Sequence, residues 1–228
     1  LEKLVKEDGL TGVTSNPTIF EKAMGHGEAY DDTLAAFDRD NPEAATIDRY
    51  EHLAIQDIKA AAETLAPIYE RTGGADGYVS LEVSPYIADD TDATIAEAQK
   101  LWAAVDRPNL MIKIPGTLAG GPAISATIAA GINVNVTLLF ALDAYIRVAE
   151  AYATGLEERV RQGQPIDRIS SVASFFVSRI DSTIDKEIDR RVGEGDPEVE
   201  ALKALRGKVA IANAKMAYQW FLDFEKSD

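Results

Sequence analysis

The 228-residue chain contains no cysteine and only two histidines, His26 and His52. The first absence excludes a disulfide framework and any thiolate nucleophile, and it fits a reducing cytosol. The second leaves no His-rich ligand spacing, so no metal is expected. Positive charge is scarce as well: 23 Lys and Arg face 38 Asp and Glu, a formal net charge of −15. A surface of that sign repels phosphate backbones and anionic bilayers, so neither nucleic acid nor a membrane is an expected partner. An anionic substrate would need a local positive site against that field. No apolar run approaches the roughly 20 residues that span a bilayer, and no signal peptide is recognisable. Dinucleotide-type glycine loops are missing too, and Gly116-Thr117-Leu118-Ala119-Gly120-Gly121 lacks the lysine of a phosphate loop.

What is present is a regular alternation of short apolar runs and amphipathic stretches. The hydrophobic share of 46% is enough for a full core. Strands are expected over 10–14, 78–83, 109–114, 132–137 and 169–177. Helical spacing covers 1–8, and Pro17 suits the first turn of a helix through Ile19, Phe20 and Ala23 that Gly25 and Gly27 break. A second pattern runs over 28–37. A long helix is expected from Pro42 to the Gly73-Gly74 pair, with Ile47, Tyr50, Ala54, Ile58, Ala61, Leu65 and Ile68 on one face. Later helices are expected from an Asp90 or Thr91 cap to Val105, around Ile124 and Ile128, over 139–161, from Arg179 to Gly193, and over 197–224. No hairpin signal and no linker interrupts the series. This is the pattern of parallel β/α units in one α/β domain covering residues 1–228.

In such folds function gathers at the C-terminal strand ends. The polar residues that look out of place fall there: Asn16, Glu82, Lys113, Asn135, Thr137, Ser174 and Arg179. Lys113 lies in the apolar run Met111-Ile112-Lys113-Ile114, where burial disfavours an ammonium, and a neutral amine on a rigid strand attacks carbonyls. Glu82, between Leu81 and Val83, has the chemistry to polarise a water, or else closes a strand-end salt bridge. Asn135 and Thr137 alternate with Val134 and Val136 and so share one face. They suit a water or a substrate hydroxyl, or else a loop. Arg179, with Ser174 and Ser178 beside it, stands before a helix and suits a phosphate, unless it pairs with Asp181 or another acid. The sequon Asn135-Val136-Thr137 lies in an apolar strand and is rejected as a glycosylation site.

Four segments carry a resemblance: Gly12-Val13-Thr14-Ser15-Asn16-Pro17-Thr18-Ile19-Phe20, Ile112-Lys113-Ile114-Pro115-Gly116-Thr117, 131–140 (GINVNVTLLF) and 174–181 (SFFVSRID). Their content and order resemble transaldolase, in the longer bacterial variety sometimes fused to a glucose-6-phosphate isomerase. The resemblance runs through nearly the whole chain. It implies a (β/α)8 barrel of the class I aldolase superfamily with no metal and no organic cofactor. The implied reaction moves a dihydroxyacetone unit from sedoheptulose 7-phosphate to glyceraldehyde 3-phosphate, giving erythrose 4-phosphate and fructose 6-phosphate. By that motif match Lys113 resembles the Schiff-base lysine. Glu82 resembles the carboxylate that works with a water held by Thr137. Asn16 and Asn135 resemble ligands of the dihydroxyacetone hydroxyls, Ser174 a substrate contact and Arg179 the main phosphate anchor. Sugar phosphates are the implied partners and the pentose phosphate pathway in the cytoplasm the implied setting, with a homo-oligomer and a fused isomerase left open.

The family's general acid/base is an aspartate on the first barrel strand. The five expected strands correspond to the second through sixth, so the chain reads as a piece of a longer parent without the first, seventh and eighth. Asp8 lies in a helix and is not a substitute. Such a piece is expected to need its remainder, or another chain, to cover its edges. Two other readings stand beside transaldolase. A fructose-6-phosphate aldolase is a similar lyase of matching length, but it lacks a long helical insertion like that between Gly25 and Gly73. An inactive barrel piece serving as a binding or assembly module is the non-enzymatic alternative.

Overall fold

The computed structural model describes residues 1–25 and 28–226; His26 and Gly27 lie outside the described residues. Five parallel strands form one sheet in sequential order: β1 (Val13–Thr14), β2 (Val79–Glu82), β3 (Leu110–Pro115), β4 (Val134–Leu139) and β5 (Ser171–Phe175). Parallel neighbours cannot be joined by a hairpin, and helices make each crossover. These are α2 (Pro17–Met24), α3 (Asp31–Asp40) and α4 (Thr46–Arg71) between β1 and β2, then α5 (Thr91–Val105), α6 (Gly120–Ala129) and α7 (Leu142–Arg161). Helix α1 (Glu2–Glu7) precedes β1, while α8 (Ser178–Gly193), α9 (Val199–Leu205) and α10 (Val209–Phe224) follow β5. A parallel sheet whose strands pair in sequence order is an arc of a (β/α)8 barrel, five units of it among the described residues.

The core lies between the middle strands and the helices behind them. All six residues of β3 are buried, as are five of six in β4. Leu65, Leu110, Ile112, Ile114, Ile124, Ile128 and Leu139 are among the fully buried side chains. Helices α6 and α7 approach closely because Gly155 has no side chain: a Cβ there would stand 2.6 Å from the Ser125 carbonyl and 2.7 Å from Ile128 Cβ. Buried polar groups fasten the N-terminal ends of the strands. Asn109 Nδ2 donates to the Ala62 and Gly77 carbonyls at 2.9 and 2.8 Å. Asn133 Nδ2 donates to the Pro108 and Leu110 carbonyls while its Oδ1 accepts the Ser170 N–H. Each replaces hydrogen bonds that the backbone cannot find in water once buried.

Several element limits differ from the sequence reading. Helix α4 begins at Thr46, not Pro42, because the Asp48 carboxylate accepts the Ala45 N–H at 2.8 Å and starts the first turn there. Leu139 ends a strand and is fully buried, so α7 starts three residues later than its apolar pattern suggests. The expected helix over 197–224 is two helices. Gly207 takes φ +64 and Arg206 is extended, and that geometry cannot continue a right-handed helix. Strand β1 keeps only two of its five expected residues, and β5 keeps five of nine.

Candidate active site

The register of the sheet sets the site. Glu82 pairs with Lys113, and Lys113 pairs with Asn135, so three polar residues form one row across β2, β3 and β4. Side chains in register on parallel strands point to the same face. Lys113 is 7% exposed, and its Nζ donates to Glu82 Oε2 at 3.2 Å and to the Ser15 carbonyl. Burial alone is therefore not what this lysine experiences. A carboxylate and a carbonyl offset the desolvation that the apolar sequence around it implies. The Glu82 side chain is 24% exposed, so the pair opens to solvent on the carboxylate side.

Asn135 links this row to β5. Its Oδ1 accepts the Ser174 hydroxyl at 2.8 Å, and its Nδ2 donates to Ser80 Oγ at 3.1 Å. Thr137 stands one pleat above, paired with Pro115, and its buried Oγ1 has no hydrogen-bond partner among the described residues. Immediately beyond it the ladder is irregular, and Leu138 adopts φ +59, a left-handed conformation unfavourable for leucine. Asn16 is the exposed N-cap of α2, its Oδ1 accepting the Ile19 N–H at 2.9 Å. Side-chain contacts thus join Lys113 to Glu82 and Asn135 to Ser174, strand register sets the two pairs side by side, Thr137 shares their face, and Asn16 adjoins Ser15 by the chain.

Arg179 lies apart from that row. It is the second residue of α8, exposed, with its guanidinium 4.7 Å from the centroid of Phe176. Phe176 in turn stacks on Phe140, centroids 4.8 Å apart and planes at 7°. Among the described residues no carboxylate pairs with Arg179; Asp181 instead accepts the Ala210 N–H at 3.1 Å. The expected alternative of an Arg179–Asp181 pair is not formed.

A cavity of about 420 Å³ adjoins Glu82 on its other flank, lined by Pro17, Met24, Tyr50, Leu81 and Tyr86 among others. Burial, and secondarily the Glu82 charge, holds the Tyr50 phenol above its ordinary pKa. Tyr50 also packs edge-on against Phe20, centroids 5.9 Å apart, which ties the inserted helix α4 to α2 beside the site.

Two residues escaped the sequence reading. Ser80 shares with Glu82 the polar alternation in Val79-Ser80-Leu81-Glu82-Val83, the same signal that marks Asn135 and Thr137. Ser15 acts through its backbone carbonyl, for which no side-chain pattern exists. His52 stacks on Phe37, and among the described residues no group of three or more His, Cys, Asp or Glu stands together as metal ligands.

Residues 1–227 match the family described as Transaldolase/Fructose-6-phosphate aldolase. The chain is 50% identical over 230 residues to the protein named Transaldolase of Trichodesmium erythraeum, covering 100% of this chain and 60% of that one. It is 50% identical over 231 residues to Transaldolase 2 of Nostoc punctiforme, again 100% of this chain and 60% of the other. Against the Transaldolase of Thermobifida fusca it is 49% identical over 218 residues, 96% of this chain and 57% of that one. The chain thus spans about 60% of the length of the curated relatives it matches. With a lysine–carboxylate pair at the C-terminal ends of parallel barrel strands, this chain belongs to the transaldolase/fructose-6-phosphate aldolase family.

Proposed function

We propose that this chain carries the Schiff-base centre of a transaldolase, a cytoplasmic enzyme of the pentose phosphate pathway. It moves a dihydroxyacetone unit from sedoheptulose 7-phosphate to glyceraldehyde 3-phosphate. The observation that supports the reading most is the buried Lys113, in contact with Glu82 and in one row with Asn135. Lys113 gives a proton to an acceptor in reach, and its Nζ attacks the ketose C2 carbonyl. The carbinolamine hydroxyl takes a proton through Glu82 and leaves as water, which forms a protonated imine. The C4 hydroxyl proton then passes to a general base, the C3–C4 bond breaks, and its electron pair moves into the imine to give an enamine. Erythrose 4-phosphate departs. The enamine carbon attacks the acceptor aldehyde, whose oxygen takes up a proton, and water hydrolyses the imine to release fructose 6-phosphate.

In this scheme the Thr137 hydroxyl, without a partner among the described residues, holds the water that Glu82 polarises. Asn135, Ser174 and Asn16 take the dihydroxyacetone hydroxyls. Arg179, at the start of α8 and without a carboxylate partner among the described residues, takes the phosphate. The test is borohydride reduction in the presence of fructose 6-phosphate, followed by intact and peptide mass. A dihydroxyacetone adduct on Lys113 is expected, and an adduct on another lysine overturns the assignment. Adding erythrose 4-phosphate then separates transfer from simple cleavage: a transferase yields sedoheptulose 7-phosphate, whereas a lyase releases free dihydroxyacetone without any acceptor.

A further inference from the structure

Ser80 stands one pleat below Glu82 on β2 and is 4% exposed. It touches both arms of the site. Its Oγ accepts Asn135 Nδ2 at 3.1 Å. Its carbonyl accepts the Ser15 N–H at 3.2 Å and the Ser15 hydroxyl at 2.8 Å. The Ser15 carbonyl, held by that double attachment, receives Lys113 Nζ. One residue therefore lies at the crossing of two short paths, one to the lysine and one to Asn135 and Ser174.

The hydroxyl arm has the sharper consequence. The terminal torsion of an asparagine is soft, so the amide plane is set by what its two ends meet. Asn135 meets a serine at each end: Ser174 at Oδ1 and Ser80 at Nδ2. Ser174 is half-buried on β5, where no residue is fully buried, whereas Ser80 is buried on β2. Without Ser80 Oγ, a buried N–H loses its acceptor, and the amide turns to find another. We infer that Ser80 is a positioning residue for the reaction: its hydroxyl fixes the Asn135 amide beside Lys113, so that the second Nδ2 hydrogen faces the bound ketose. Its influence on chemistry passes through Asn135. The inference rests on the reading that Lys113 forms an imine with a ketose.

The experiment is a double-mutant cycle in the intact protein, read as the rate of borohydride-trapped imine formation with fructose 6-phosphate over a range of concentrations. Ser80→Ala is expected to slow trapping at saturating substrate about five- to tenfold, the size of one lost hydrogen bond. Asn135→Ala is expected to slow it at least as much, and the double variant no more than Asn135→Ala alone. If Ser80→Ala fails to fold, Ser80→Cys keeps the volume with a weak hydrogen-bond partner and enters the same cycle. Effects that multiply in the double variant, or an unchanged rate in Ser80→Ala, overturn the inference. Lys113→Met is the separate control. Trapping that persists in that variant overturns the imine reading itself, and the inference with it.

Discussion

Lys113 is held in a strand whose six residues are all buried, with one strand on either side, while Arg179 projects from the start of α8 beyond a β5 in which no residue is fully buried. The lysine row is locked by register: Glu82, Lys113 and Asn135 are neighbours because their strands pair residue by residue. The arginine is positioned by a helix start and by the ring of Phe176, itself stacked on Phe140. The difference teaches what each of the two proposed tasks would need. Covalent chemistry on a ketose needs a nucleophile fixed to a fraction of an ångström and shielded from water. Holding a phosphate needs donors and charge at the rim, where the anion keeps part of its hydration.

Substitutions can break or sharpen that contrast. The largest effect is expected for Lys113→Met, which removes the only amine in the row. Trapping of a fructose 6-phosphate adduct, followed by peptide mass, should disappear altogether. Next comes packing. Ile112→Ala opens a cavity at a fully buried position and is expected to cost about 2–5 kcal/mol in urea unfolding. Val172→Ala on β5, 46% exposed, should cost no more than about 0.5 kcal/mol. Equal costs would mean that the two regions are not built differently. Arg179→Ala should weaken half-saturation by fructose 6-phosphate about 10- to 100-fold while leaving trapping of unphosphorylated dihydroxyacetone at Lys113 unchanged. A parallel loss with both ligands would move Arg179 from phosphate binding to the lysine arm.

The smallest effect lies in the inserted helices. Tyr30, at the start of α3, donates to Asp57 on α4 at 2.6 Å. That hydrogen bond, then burial and the Asp57 charge, push its pKa up to about 12. The folded chain keeps this proton where the unfolded chain, with a phenol near 10, has lost it. The stabilisation is therefore complete below about pH 10 and is lost between about pH 10 and 12. Tyr30→Phe should flatten that part of the stability profile, measured by thermal melts at stepped pH.

Much of the architecture was legible from patterning. Alternating apolar runs and amphipathic stretches placed five strands and most helices, since periodicities of two and 3.6 residues reflect which faces are buried. The failures have local causes. Leu139 reads as the start of a helix, but pairing with β5 keeps it in the ladder. The break at Gly207 depends on a left-handed backbone, which glycine permits but does not demand. In the site, Lys113, Glu82, Asn135 and Thr137 stood out as polar groups in apolar strands. Ser80 carried the same signal more faintly, because a serine in a strand is common and uncharged.

Residue order alone settles the kinds of groups available and the faces on which they stand: an amine in an apolar strand, a carboxylate at a strand end, an acidic surface, no thiol. Those are properties of side chains and of the two-residue repeat of a strand. Which groups meet is another matter. The contact of Lys113 with the Ser15 carbonyl and the Ser174–Asn135–Ser80 chain join residues from different β/α units. They follow from strand register and from the packing of helices behind the sheet. A one-residue slip of either strand would turn the same side chains to the opposite face. Tertiary structure decided those meetings because only the buried core selects one register.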